Sequence, residues 1–250
     1  MTQPADPPVP GVIKDTMRRP LPKRFYKQVT AEPRNGAFAV LLDGRPVRTP
    51  KKAFLQVATL PLAEALAVEW AAQEAGINPA RMPLTRLVNT AIDGVTGREP
   101  QVAAGIVQYA GTDLLCYRAA GPAALVERQA QAWDPVIAWA EKWIGGRFLL
   151  TGGVVHVTQP PATLEKFAVK VEGRDAFQLA ALHLMTTLTG SALLALAHAE
   201  GALSVDAAWA AAHIDEDYQI EKWGTDFEAA HRRAVRWRDM EAAGRLLALI

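Results

Sequence analysis

The sequence predicts an α+β chain, in which a small N-terminal antiparallel β-rich domain precedes a larger all-helical C-terminal domain. Three observations predict it. Short apolar or alternating runs between Arg24 and Ala58 are separated by turn dipeptides, and nearly everything after Pro83 reads as helix. With 250 residues, 50% of them hydrophobic, the chain can bury one large core or two modest ones. The boundaries expected are an arm over 1–20, a β-rich domain with one covering helix over 21–83, and a helical domain over 84–250.

In chain order, residues 1–20 carry five prolines and little periodicity, which predicts a flexible arm. Phe25–Val29, Ala37–Leu42, Val47–Thr49 and Phe54–Ala58 then read as four strands of an antiparallel meander. Pro33-Arg34-Asn35-Gly36 and Asp43-Gly44 supply the turns between them, because tight hairpins need residues that accept positive φ. A helix from Pro61 to about Gly76 follows, and its stripe of Leu62, Leu66 and Trp70 is expected to pack on the sheet. Further helices are expected at Leu84–Asp93, Glu99–Tyr109, Ala123–Trp143, Thr163–Val171, Ala176–Leu188, Ser191–His198, Ser204–Trp223 and Asp226–Leu249. Two short β-like runs, Asp113–Tyr117 and Gly153–Val157, interrupt them. Ala176–Ala199 lacks any Asp, Glu, Lys or Arg, yet its polar residues and the Thr189-Gly190-Ser191 break predict a buried helical hairpin and no stable membrane insertion.

Composition excludes several function classes. Twenty-seven basic against 26 acidic residues give a net charge of +1, so no nucleic-acid partner is expected. Charge is nevertheless uneven: residues 1–60 hold 11 Lys or Arg and 4 Asp or Glu, whereas 175–221 hold 7 Asp or Glu and no Lys or Arg. The single cysteine, Cys116, lies in an apolar run and reads as a buried small hydrophobe in a reducing compartment. There is no phosphate-binding loop, no dinucleotide fingerprint and no His-x-x-x-His spacing, so no cofactor and no metal are expected. Ser191 lacks the second glycine of a nucleophile elbow and reads as a helix cap.

One position breaks a local rule. On the helix predicted over Ser204–Trp223, at about 100° per residue, Glu216 falls at the centre of an apolar stripe of Val205, Trp209, Ala212, Ile220 and Trp223. His213 and Gln219 flank it, and Asp215 and Glu221 lie on the wetter side. A carboxylate there costs several kcal/mol unless it is paired or faces an accessible groove. Two accounts stay open at this point: an ion pair with an Arg of the last helix, or a carboxylate that meets a partner amid apolar surface.

These residues belong to a wider pattern. Arg24-Phe25-Tyr26-Lys27, Leu42 to Pro50, Glu69-Trp70-Ala71-Ala72-Gln73, Met82-Pro83-Leu84-Thr85, Asn89 to Asp93 and Thr112 to Arg118 resemble, in order, motifs of the ATP synthase F(1) assembly chaperone family, the member that binds the alpha subunit. Trp133-Asp134-Pro135, Thr189-Gly190-Ser191, Asp215-Glu216-Asp217-Tyr218-Gln219 and Trp223-Gly224-Thr225-Asp226 continue the match. The resemblance implies a non-enzymatic chaperone, monomeric when free, that shields the beta-facing interface of unassembled alpha subunit until the catalytic head assembles. It implies partner-binding roles for Glu216, Gln219, Asp217, Trp223 and His213, with Glu216 standing in the family's Asp/Glu-Glu-x-x-Gln motif. The N-terminus shows neither a secretory signal nor an Arg-rich transit peptide. A bacterial cytoplasm is therefore expected, with the mitochondrial matrix for eukaryotic relatives. The competing expectation is a small-molecule enzyme that uses Glu216 as general acid or base beside His213.

Overall fold

The computed structural model describes residues 21–153 and 155–250; the arm expected over 1–20 lies outside them. Two tight turns organise the N-terminal sheet. Asn35 and Gly36, at φ 51° and 78°, join β1 (Val29–Arg34) to β2 (Ala37–Leu42), and Asp43 and Gly44, at 47° and 75°, join β2 to β3 (Arg45–Pro46). These are the left-handed conformations the two dipeptides were expected to supply. The first strand is displaced from Phe25–Val29, because Arg24 and Tyr26 are engaged elsewhere and β1, which among the described residues pairs with β2 alone, is an edge that tolerates Pro33. The sheet is also not a meander. β2 is central, with β3 on its last two residues and β4 (Gln56–Val57) on Phe38–Ala39 along the same edge. β2 therefore buries Ala39, Val40, Leu41 and Leu42.

Helix α1 (Leu60–Ala71) lays the buried Leu62 and Leu66 on this sheet. It ends at Ala71, short of Gly76, because groups from outside the helix take its last carbonyls. The Arg24 guanidinium donates to Ala71 O and Gln73 O, and the Tyr26 hydroxyl donates to Trp70 O at 2.7 Å. In turn, the Glu69 carboxylate accepts Leu84 N (2.9 Å) and Thr85 N (2.7 Å), capping α2 (Pro83–Thr90) from a neighbouring helix. The motifs around Arg24, Glu69 and Met82 thus form one connected set of helix-end contacts. Glu69→Ala is expected to cost about 1–2 kcal/mol by leaving two helix-end donors without an acceptor. A shift of the urea midpoint at unchanged slope would show it; an unmoved midpoint would refute it.

A single π-helical turn (Ala91–Val95) extends α2 and leads to α3 (Glu99–Gly111). The first β-like run becomes one 3₁₀ turn, Leu114–Cys116, followed by β5 (Tyr117–Arg118). Beyond α4 (Ala123–Ile144), β5 pairs in parallel with β6 (Thr151–Gly152), so the second short strand precedes Gly153–Val157. The remaining helices are α5 (Pro161–Val171), α6 (Ala176–Thr189), α7 (Ala192–Ala199), α8 (Val205–Ala212), α9 (Ile214–Trp223) and α10 (Phe227–Leu249). The α+β class is as the sequence predicts, with the β5–β6 pair set among helices.

The α6–α7 hairpin is buried, with Gly190 left-handed at φ 70° and Ser191 Oγ accepting Leu194 N at 3.0 Å. No helix among the described residues is long and apolar enough to cross a membrane. The hairpin is pinned by Asp113, which is fully buried and accepts Leu115 N (3.1 Å), Leu193 N (3.0 Å) and the Ser191 hydroxyl (2.7 Å). Burial raises its carboxyl to about 6, against the downward pull of these donors. Cys116 is wholly buried, and burial pushes its thiol up to about 12, in keeping with a packed, unreactive side chain.

The single helix expected over Ser204–Trp223 is two helices. His213, at φ −114° and ψ 16°, breaks it because its ring nitrogen Nδ1 takes the Trp209 carbonyl at 2.8 Å. In an unbroken helix that carbonyl would accept the His213 amide, which bonds Ala210 O instead.

Candidate partner-binding site

Because α9 starts just after this break, its first turn carries Asp215, Glu216 and Asp217, where exposed amide groups favour anions. The three carboxylates have different surroundings. Asp215 accepts the side-chain amide of buried Gln129 at 2.6 Å, and Gln129 also holds Ala119 N at 2.7 Å. Asp217 is ion-paired with Arg233 of α10, whose guanidinium pKa is raised by that hydrogen bond. Glu216 has one ionic neighbour among the described residues, His213 Nε2 at 4.0 Å, and its side chain is 39% exposed.

His213 does not satisfy that carboxylate. The ring is 5% exposed and packs on Trp209 with centroids 3.9 Å apart. Burial lowers its pKa, the Trp209 carbonyl and Glu216 draw it back up, and Arg233 and Arg236 press it down. With Nδ1–H donated to Trp209 O, a neutral ring presents only the Nε2 lone pair to Glu216. Two acceptors then face each other, and the carboxylate is left to water or to a partner.

Gln219 and Trp223 continue the Glu216 face at i+3 and i+7. Gln219 is exposed, Trp223 is 78% exposed and Phe227, opening α10, is 91% exposed. The apolar stripe read from sequence is therefore buried only in α8, at Trp209. In α9 it opens to solvent, since the break at His213 turns the second helix relative to the first. The structure thus brings Glu216, Gln219 and Trp223 onto one open face, ties Asp217 to α10 and places His213 beneath Glu216. The sequence reading missed Phe227, whose signal was an aromatic directly after the helix-capping Asp226; it foresaw an arginine of the last helix only as a partner for Glu216, whereas Arg233 pairs with Asp217. Among the described residues no cluster of three His, Cys, Asp or Glu could hold a metal ion.

The fold is that of a chaperone class with solved representatives. The Atu1473 protein of Agrobacterium tumefaciens is 51% identical, superimposes with a TM-score of 0.88 and covers 93% of this chain and 88% of its own. Atp12 from Paracoccus denitrificans is 43% identical with a TM-score of 0.85, over 91% of this chain and 98% of that one. The mitochondrial protein atp12 of Schizosaccharomyces pombe is 26% identical over 228 residues, covering 85% of this chain and 78% of that protein. The model of the ATP12 chaperone protein family matches residues 23–141. The chain belongs to the ATP12 chaperone family, the ATP synthase assembly chaperones that its motifs resemble.

Proposed function

We propose that this protein binds the unassembled ATP synthase alpha subunit and covers its beta-facing interface until the catalytic head assembles, without catalysing a reaction. The open face of α9 carries this reading: Glu216 is half-exposed, has no satisfying partner among the described residues and runs into the exposed Trp223 and Phe227. An orphan subunit exposes a large apolar interface that aggregates, and a chaperone must cover it reversibly. Aromatic side chains supply contact area, while a lone carboxylate sets orientation and penalises wrong partners. Affinity then stays below that of the true neighbour subunit, which displaces the chaperone by mass action with no nucleotide consumed. Its place of action on this reading is the bacterial cytoplasm. The protein, added in stoichiometric amount, is expected to suppress light scattering from diluted alpha subunit in the absence of ATP. Scattering unchanged by the protein, or suppressed only when ATP is present, would refute the proposal.

A further inference from the structure

Away from α9, a cleft of about 640 Å³ lies between the sheet and α2. Its charge is one-sided: Arg45, Arg48, Lys52 and Arg86 line it, with no carboxylate among the lining residues. Arg86 is paired with Asp239, but Arg45, Arg48 and Lys52 have no carboxylate partner among the described residues. The mouth carries Phe25, 74% exposed although its neighbour Tyr26 is buried. Trp70, Thr85 and Asn89 also line the cleft, and each has a buried polar atom without a hydrogen-bond partner among the described residues. These atoms are the indole Nε1, a donor; the Thr85 hydroxyl, a donor and acceptor; and the Asn89 Oδ1, an acceptor. Thr85 is 3% exposed. Buried orphan groups are costly, and three at residues lining one cleft mark polar groups that the described residues leave unsatisfied.

We infer that this cleft binds an extended acidic segment of a protein partner, with a carboxylate beside an apolar side chain. A peptide backbone offers the acceptor that Trp70 Nε1 requires and the donor that Asn89 Oδ1 requires. A bare phosphate fills neither the apolar wall around Phe25 and Met82 nor the acceptor's need. The cationic rim draws the carboxylate in and fixes its direction. The cleft and the α9 face lie on different elements, so this inference holds whatever client α9 engages.

The test follows the Trp70 indole N–H signal by NMR, identified by its loss in Trp70→Phe. The probe is an acetylated, amidated octapeptide of alternating glutamate and leucine. A saturable shift is expected, with half-saturation raised about tenfold or more in Arg45→Glu/Lys52→Glu, two exposed positions whose change leaves the circular dichroism unaltered. Trp70→Phe, which keeps an aromatic side chain but loses the indole N–H donor, is expected to weaken binding about fivefold, read from the other cleft signals. Failure to saturate at millimolar peptide would overturn the inference, as would equal binding of the lysine–leucine peptide. It would also fall if inorganic phosphate alone or an oligothymidylate gave the same shift. Signals that moved with protein concentration in the absence of peptide would assign the cleft to a second copy of the chain and overturn it too.

Discussion

The Glu216→Lys protein is expected to lose capture of the alpha subunit by about a hundredfold or more while melting close to the parent temperature. The side chain is 39% exposed, and its ionic neighbour is a buried histidine 4.0 Å away whose pKa is depressed. A lysine there can turn into solvent, and its repulsion with Arg233 is screened, costing at most about 1 kcal/mol. Against a partner the same lysine presents a cation where an anion is needed and must be desolvated without compensation. Glu216→Gln keeps shape and hydrogen bonding, so it should lie between the parent and the lysine variant. Asp217→Lys supplies the contrast, because it breaks the pair with Arg233 and places two cations together on half-buried surface. It should lower the melting temperature where Glu216→Lys does not. Binding by isothermal calorimetry beside thermal melts decides the matter: a stable Glu216→Lys protein that still binds normally sinks the assignment, and so does one that melts far below the parent.

Asp113→Ala should cost about 3 kcal/mol of stability, more than Glu69→Ala or Glu216→Lys. It strips acceptors from Leu115 N, Leu193 N and the Ser191 hydroxyl, all in the interior. The loss should also depend on pH in a defined direction. The folded carboxyl titrates at about 6, above its ordinary 3.8, so the folded state holds the proton more tightly than the unfolded chain. The contribution of Asp113 is therefore fully present below about pH 4 and is lost as pH rises through 6. Integrated between pH 5 and 8, that loss is about 1 kcal/mol, so the difference between parent and variant should be larger at pH 5 than at pH 8 by this amount. Urea unfolding of both proteins at the two pH values measures it. Equal differences at both pH values would mean that Asp113 keeps its ordinary acidity.

Particular elements show how far the sequence could be read. Asn35-Gly36 and Asp43-Gly44 were legible as turns because positive φ is a property of the residues themselves. Ser191 was legible as a cap and Gly190 as a break because the bonds that define the cap and the break, Leu194 N to Ser191 Oγ and Gly190 N to Thr186 O, close within four residues. Glu216 was singled out as a misfit by helical periodicity over Ser204–Trp223, and independently by the Asp215–Gln219 motif of the family its sequence resembles. The geometry used to find it assumed one helix through His213, and that assumption also placed Trp223 on the packed stripe. The imidazole competes with the backbone for the Trp209 carbonyl only because the ring is held against Trp209 in the interior. Helical periodicity carries no sign of that competition.

By itself the sequence determined the α+β class, most helix positions, the sharp turns, the α6–α7 hairpin and the family resemblance. These rest on backbone preferences and on contacts between residues a few positions apart, whose energies are set before the chain closes on itself. Only the tertiary structure decided that β2 is the central strand, that Glu69 caps a helix fifteen residues away and that Asp113 pins a hairpin 78 residues on. It alone gave Asp217 the arginine and, among the described residues, left Glu216 with only the buried His213 beside it. Such pairings join groups far apart in the chain, and which partner each finds depends on how whole helices and sheets pack, because a buried polar group takes the donor or acceptor that packing brings within reach.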